Sequence, residues 1–191
     1  MTPASSPSPL SPTRKTLRLQ THDYSQPAAY FLTICTDQKR CRLSRVNDGQ
    51  VTLTPAGHIV RQSWQDLPTR FPHVIQDVFV IMPNHIHAIL FVGAGLAPPA
   101  VNTSTASTAT PKVSLSGIIG AFKSISTINT NRLSQTPGDL LWQRSYYEHI
   151  IRDAEDMKKV QRYILENPMR WELDPENTKP TYVSSISAAR F

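Results

Sequence analysis

Two histidines separated by one residue, His85 and His87, form the first pattern that could do chemistry. The run HIHAILFV over residues 85–92 is rich in apolar and β-branched residues and predicts a strand. Side chains two residues apart on a strand point to the same face of the sheet. The two imidazoles can therefore converge on one divalent cation, although the pair alone is also compatible with two ordinary buried histidines.

A tyrosine and an asparagine one helical turn apart, Tyr163 and Asn167, form the second pattern. Residues 153–167 predict a helix that is capped by Asp153 and ends at Asn167, before a proline. Tyr163 and Asn167 share one shoulder of its apolar stripe, where they could reach a cleft along the sheet. A half-buried tyrosine followed by a helix-capping asparagine is the alternative interpretation. The stripe itself consists of Met157, Val160 and Ile164.

A divalent cation beside a tyrosine hydroxyl is suited to breaking a phosphodiester bond. The anionic oxygens of a phosphodiester repel nucleophiles, and a bound cation neutralises that charge and orients the phosphate. A tyrosine hydroxyl can then attack and form a covalent phosphotyrosine, which stores the bond energy for rejoining. The sequence contains no Walker or dinucleotide-binding loop, in agreement with a reaction that needs no nucleotide cofactor.

The positive charge of the chain indicates a polyanionic partner. The net charge is +6 and the pI is about 9.5. Lys158, Lys159 and Arg162 lie on the helix predicted to carry Tyr163 and could follow a phosphate backbone. Arg144 could bind a single phosphate. A solvated surface is the alternative interpretation for all four residues.

These candidate residues are positioned by a predicted α+β fold. Its order is strand, helix, strand, strand, helix, strand and one extra helix that carries Tyr163. The first six elements form the ferredoxin-like split βαβ arrangement, which hosts many functions and predicts none by itself. Strands are predicted at residues 30–36, 74–82, 85–92 and 146–151. A hairpin is expected over 42–53, a helix from the Thr54 cap to about Leu67, where Pro68 and Pro72 end it, and a helix beginning at Ser114 or Ser116.

One domain is expected over residues 17–170, with segments of different composition around and within it. Residues 1–16 are rich in proline and serine and predict a disordered arm. Residues 93–113 are low in complexity and predict a flexible insert loop. Residues 171–191 are expected to form an irregular C-terminal tail.

The composition also argues against secretion and membrane insertion. The N-terminus lacks the apolar segment of a signal peptide, and no apolar run approaches the length of a membrane-spanning helix. Cys35 and Cys41 are too few for a disulfide framework, and their spacing does not fit a zinc site. These features favour a cytoplasmic protein without a membrane partner.

Longer stretches of the chain resemble the single-tyrosine HUH (IS200-like) transposases. Their histidine motif is similar to VFVIMPNHIHAILFV at residues 78–92. The REP-associated tyrosine transposase subgroup is similar to this chain in its C-terminal block, LWQRSYYEHIIRDAEDMKKVQRYILENPMRWELD. Its N-terminal half is similar to RLQTHDYSQPAAYFLTICTDQKR and LTPAGHIVRQSWQDLPTRFP. The resemblance covers residues 17–92 and 114–174.

The resemblance implies a set of roles for the candidate residues. His85 and His87 would bind Mg²⁺ or Mn²⁺, and Tyr163 would be the nucleophile that leaves a 5′-phosphotyrosine and a free 3′-OH. In related insertion-sequence transposases a glutamine one turn after the tyrosine completes the metal site. This chain has the shorter Asn167 there, whose carbonyl oxygen could serve as a ligand. Single-stranded or hairpin-forming DNA would be the partner, in a bacterial cytoplasm and associated with the nucleoid, and the protein would be a monomer or homodimer.

Three rival interpretations accompany this one. Tyr146 and Tyr147, on the last predicted strand, are alternative nucleophiles. A catalytically inactive nucleic-acid-binding module could have the same fold, and covalent capture of DNA would exclude it. A metal-dependent phosphoesterase that uses water as the nucleophile would make Tyr163 dispensable.

Overall fold

The computed structural model describes residues 27–93 and 113–177. The predicted arm over residues 1–16 and nearly all of the predicted insert loop lie outside these residues. None of the helices in the described ranges is long and apolar enough to span a membrane. The strands and helices are β1 (Ala28–Cys35), β2 (Ser44–Asn47), β3 (Gln50–Leu53), α1 (Pro55–Gln65), α2 (Leu67–Arg70), β4 (Val74–Ile81), β5 (His85–Val92), α3 (Leu115–Ser134), β6 (Tyr147–Ile151) and α4 (Ala154–Glu166), with 3₁₀ helices at Asp37–Lys39 and Asn167–Leu173.

Four of the strands form one antiparallel sheet in the order β4-β5-β1-β6. The two central strands, β1 and β5, pair so that Thr33 lies opposite His87 and Cys35 lies opposite His85. The connections β1 to β4 and β5 to β6 contain α1 and α3, so the predicted ferredoxin-like split βαβ fold is confirmed. The predicted hairpin is also present, because β2 and β3 pair around Asp48 and Gly49, both of which have positive φ.

The two faces of the sheet pack against different helices. Residues of a strand alternate between faces, so His85 and His87 point away from the core that contains their neighbours Ile86 and Ala88. That larger core lies beneath α1 and α3 and includes Leu32, Ile34, Val60, Trp64, Ile118 and Phe122. The smaller core, on the other face, packs beneath α4 and consists of Ala29, Phe31, Ile89, Ile151 and Ile164, with Met157 and Val160 partly buried against it. The strand register therefore places both histidines on the α4 side.

Three helices begin directly after the capping residues that the sequence predicted. The side chains of Thr54, Ser114 and Asp153 each accept hydrogen bonds from backbone N–H groups in the first turn of α1, α3 and α4. The end of the first helix differs from the prediction. Helix α1 ends at Gln65, and Pro68 lies inside the short helix α2 instead of terminating α1. Proline is tolerated there because the first N–H groups of a helix have no partner within it.

The chain after α4 differs from the irregular tail expected from Trp171 onward. Residues up to Leu173 continue as a 3₁₀ helix, and Asp174 follows with only 7% of its surface exposed. A carboxylate is rarely buried unless it is paired, and the Nδ2 atom of Asn167 donates to Asp174 Oδ2 at 2.7 Å. Residues 171–177 are therefore part of the folded domain, while residues 178–191 lie outside the described range.

Helix α4 is anchored to the sheet by Ile164, which is fully buried. We expect Ile164→Ala to lower the free energy of unfolding by about 2–5 kcal/mol, because the lost side-chain carbons leave a cavity between helix and sheet. Leu165→Ala is the matched control, since the neighbouring side chain is 67% exposed. Its change should stay within about 0.5 kcal/mol. Chemical denaturation measures both variants, and equal losses would contradict this packing.

Candidate metal and nucleophile site

The two histidines of strand β5 bring their rings together, as their spacing predicted. The Nε2 atoms of His85 and His87 are 3.1 Å apart, and both side chains are buried. The two rings are almost completely removed from solvent, with 0% and 2% of the surface of His85 and His87 exposed, so the two nitrogens face each other in a largely desolvated environment. This arrangement is the one that two ligands of a single cation require.

A third group, which the sequence did not reveal, completes the cluster. The Oδ2 atom of Asp174 lies 3.8 Å from His85 Nε2. One ligand atom from each of Asp174, His85 and His87 can be chosen so that all three lie within 4.8 Å of one another. Among residues 27–93 and 113–177, this is the one such cluster of three His, Cys, Asp or Glu side chains. Two imidazoles and a carboxylate are a donor set that fits a divalent cation.

The remaining ring nitrogens are already occupied by hydrogen-bond partners. His87 Nδ1 lies 3.0 Å from Thr33 Oγ1, and His85 Nδ1 lies 2.9 Å from Asn84 Oδ1. Such contacts orient metal-ligating imidazoles and leave the opposite nitrogen for the cation. Burial also lowers the pKa of His85 to about 3 and the pKa of His87 to about 4. Both rings are therefore neutral near pH 7, which is the form that binds metal.

The hydroxyl of Tyr163 reaches this cluster from helix α4. Its Oη atom lies 3.4 Å from His87 Nε2, and its ring packs edge-on against Phe31 with centroids 5.8 Å apart. The side chain remains 41% exposed, so a substrate can approach the oxygen. Burial, followed by the charges of Asp174 and Glu176, raises the pKa of Tyr163. The hydroxyl consequently keeps its proton at neutral pH unless positive charge is brought close.

Asn167 is buried one turn beyond Tyr163 and contacts the acidic member of the cluster. A carboxylate can only accept, so the end of the amide that faces Asp174 must be the Nδ2 donor. The opposite Oδ1 atom is buried without a hydrogen-bond partner among the described residues. A buried carbonyl oxygen without a partner, on a side chain that contacts Asp174, is chemically able to serve as a cation ligand.

A cleft of about 210 Å³ opens beside the Tyr163 hydroxyl. Tyr147, the rival nucleophile, lines the same cleft and is 51% exposed. Tyr146 instead packs against the core beneath α1 and α3, with Lys123 Nζ 5.3 Å from its ring centroid. The cleft therefore contains two candidate tyrosines, and Tyr163 is the one whose hydroxyl contacts His87. The full lining is Phe31, Thr33, His87, Tyr147, Tyr163, Pro175 and Glu176.

The four predicted DNA-binding residues lie in two different parts of the structure. Lys158, Lys159 and Arg162 are exposed on α4, the helix of Tyr163, where Lys159 Nζ also pairs with Glu155 Oε1 at 2.7 Å. Arg144 is exposed at a different cleft, between α3 and the segment before β6. The three cations of α4 therefore share the helix of Tyr163, and none of the four residues lines the Tyr163 cleft.

The acidic pair Asp174 and Glu176 is the part of the site that sequence reasoning missed. Glu176 Oε2 accepts from Lys39 Nζ at 2.8 Å and from Cys35 Sγ at 3.2 Å. Burial, then these contacts with Glu176, raise the pKa of the Cys35 thiol to about 12. The available signal was the run LDPE at residues 173–176, two acids soon after the tyrosine helix. Nothing local in that run indicates that the chain returns to the sheet.

Comparison with known proteins shows the family and the fold of the chain. No family model matches the sequence. An uncharacterized protein of Haemophilus influenzae is 34% identical over 166 residues, which cover 84% of this chain and 91% of the relative. The solved structure of a REP-associated tyrosine transposase bound to a REP hairpin has a TM-score of 0.56 and 18% identity, covering 81% of this chain and 74% of that one. The chain therefore belongs to one family with the Haemophilus influenzae protein and has the fold of the REP-associated tyrosine transposases, as its sequence motifs indicated.

Proposed function

We propose that this protein cleaves and rejoins single-stranded DNA through a covalent bond to Tyr163, with Mg²⁺ or Mn²⁺ held by His85, His87 and Asp174. The observation that carries the proposal is the 3.4 Å distance between Tyr163 Oη and His87 Nε2. This contact supports the proposal because the hydroxyl of a partly exposed tyrosine lies at the edge of a buried group of side chains that could hold a metal. Because the transposase with this fold is bound to a REP hairpin, we assign hairpin-forming DNA as the substrate.

The proposed reaction has a cleavage step and a rejoining step, and both use the oxygen of Tyr163. When bound, a divalent cation supplies positive charge that polarises the scissile phosphate and lowers the pKa of a neighbouring hydroxyl. The Tyr163 oxygen forms a bond to phosphorus and its proton passes to solvent. The bond from phosphorus to the 3′ oxygen breaks, and that oxygen takes up a proton to become a 3′-OH. The 5′ end stays on Tyr163 until a 3′-OH attacks it, which restores a phosphodiester and returns the tyrosine.

Asn167 connects the nucleophile's helix to the metal ligands in this proposal. Its Nδ2 atom holds the carboxylate of Asp174, and its Oδ1 atom offers a further oxygen to the cation. Because Asn167 is the residue at which α4 ends, the same helix orients Tyr163 and one side of the ligand set. A shift of α4 would therefore disturb the nucleophile and the ligands together.

Covalent capture of DNA tests the proposal. The protein is incubated in Mn²⁺ with single-stranded DNA from the repeats that flank its own gene, and a denaturing gel resolves cleaved strands and protein–DNA adducts. Mass spectrometry of the digested adduct should locate the nucleotide on Tyr163. An adduct on Tyr147 would identify the other tyrosine of the cleft as the nucleophile. Cleavage without an adduct would indicate a phosphoesterase that uses water, and binding without cleavage would indicate an inactive module.

DNA binding should favour single-stranded or hairpin DNA over blunt duplex and should weaken as salt rises. Each phosphate contact releases counterions, so the logarithm of affinity falls linearly with the logarithm of salt concentration. Replacing Lys158, Lys159 and Arg162 together by alanine should reduce the steepness of that slope by about 2 to 3. Fluorescence anisotropy across a salt series measures it, with Arg70→Ala, on the opposite side of the sheet, as the control. An unchanged slope in the triple variant would show that these three residues of α4 do not contact the DNA phosphates.

A further inference from the structure

Asn84, immediately before the two histidines, is 0% exposed and contacts two separate parts of the site. One end of its amide faces His85, with Asn84 Oδ1 2.9 Å from His85 Nδ1. The other end, Nδ2, donates to the backbone carbonyl of Glu176 at 2.7 Å and to that of Lys39 at 3.2 Å. Both ends of this buried amide are therefore engaged.

The partners of Asn84 determine which way its amide points. Backbone carbonyls only accept hydrogen bonds, so the end that faces Glu176 and Lys39 must be the NH₂ group. The opposite end is then a carbonyl oxygen, which also only accepts. His85 Nδ1 must consequently carry a proton. A neutral imidazole has one ring proton, so His85 Nε2 keeps its lone pair and directs it toward His87 and Asp174.

The second histidine has a less restrictive partner. Thr33 Oγ1, 3.0 Å from His87 Nδ1, belongs to a hydroxyl that can either donate or accept by rotating. This contact therefore permits both tautomers of His87, whereas the Asn84 contact permits one form of neutral His85. Of the two contacts, the one with Asn84 therefore determines which ring nitrogen is free before a cation binds.

Asn84 also ties the histidine strand to the segment that carries the acidic ligand. Its Nδ2 atom contacts the carbonyl of Glu176, and the N–H of Glu176 donates to Asp174 Oδ1 at 2.6 Å. The turn over residues 174–176 is thus held against the start of β5 by a side chain from β5's own N-terminal end. Loss of that contact would release Asp174 as well as His85.

We propose that Asn84 is a positioning residue of the metal site with two tasks. It holds His85 in the tautomer whose Nε2 is free for a cation, and it docks the turn that presents Asp174. The inference rests on the metal site of the proposed function and is independent of DNA cleavage. Partners of this kind typically contribute about 10- to 100-fold to metal affinity.

Two substitutions separate the two tasks. Asn84→Asp keeps an oxygen facing His85 Nδ1 but loses the donors to Glu176 and Lys39, so the tautomer should persist while the docking weakens. Asn84→Ala removes both contacts, so both tasks should fail. The control is Thr36→Val, which removes the buried hydroxyl 3.0 Å from the Asn84 backbone carbonyl and leaves the Asn84 side chain in place.

Long-range ¹H–¹⁵N correlation spectra of the metal-free protein report the tautomer, and titration calorimetry with Mn²⁺ reports the affinity. We expect the wild type, Thr36→Val and Asn84→Asp to carry the His85 proton on Nδ1, and Asn84→Ala to show a mixture. The Mn²⁺ dissociation constant should rise by about 10- to 100-fold in both Asn84 variants and stay unchanged in Thr36→Val.

Either of two results would overturn the assignment of Asn84. The first is a His85 proton on Nε2 in the wild-type protein, and the second is an Asn84→Ala protein with the wild-type tautomer and affinity. If the wild type binds no Mn²⁺ at all, the proposed metal site fails, while the tautomer in the metal-free protein still decides the role of Asn84. If Asn84→Ala does not fold, Asn84→Asp still measures the docking task.

Discussion

Tyr163→Phe should reduce DNA cleavage by at least about 1,000-fold, the scale of loss seen when a nucleophile is removed. The phenylalanine ring can keep the edge-on contact with Phe31, so packing is retained while the oxygen 3.4 Å from His87 Nε2 is lost. The free energy of unfolding should change by no more than about 1 kcal/mol, because the ring packing is retained and the hydroxyl's contact with His87 is long. A gel-based cleavage assay and a thermal melt measure the two quantities.

Tyr147→Phe is the matched control for that result, since Tyr147 lines the same cleft. Its variant should retain covalent adduct formation, because the hydroxyl that contacts His87 is still present. Tyr146→Phe should behave in the same way, as Tyr146 packs on the opposite face of the sheet. Undiminished cleavage by Tyr163→Phe would refute the phosphotyrosine mechanism and favour water as the nucleophile.

The second large effect concerns the metal ligands. His85→Ala and His87→Ala should each weaken Mn²⁺ binding by more than about 100-fold. This loss exceeds the one typical of a residue that only hydrogen-bonds to a metal ligand. Asp174→Asn should also weaken binding, because it removes the negative charge that accompanies the two neutral imidazoles. Cleavage should fall in parallel, and Mn²⁺ should support it at least as well as Mg²⁺, since imidazole ligands favour Mn²⁺.

His58→Ala is the control for the loss of a histidine. His58 is exposed on α1, on the other side of the sheet, so Mn²⁺ affinity should be unchanged. Calorimetric titration with Mn²⁺ gives the affinity of each variant without reference to DNA. Full Mn²⁺ affinity in Asp174→Asn would exclude Asp174 as a ligand, and full affinity in both histidine variants would exclude the site.

Much of the fold and half of the site could be predicted from local sequence. The two-residue spacing of His85 and His87 places them on one face because strand side chains alternate, and the structure has them together. Thr54 and Asp153 cap helices because a side-chain oxygen beside a free N–H is a purely local interaction. The order of strands and helices then predicted the split βαβ arrangement, because few topologies are compatible with that order.

Tertiary structure alone decided which groups meet across the sheet. Asp174 and Glu176 follow α4 at positions with no periodic pattern. Asp174 reaches His85, and Glu176 reaches Lys39, because the 3₁₀ helix Asn167–Leu173 turns the chain back. Which tyrosine hydroxyl contacts His87 also depended on packing, since Tyr147 and Tyr163 both line the cleft but the contact belongs to Tyr163. Local patterns arise from interactions within one or two turns of the backbone. Contacts between residues 76 or 89 positions apart depend on how separate elements pack, and no spacing in the sequence encodes that.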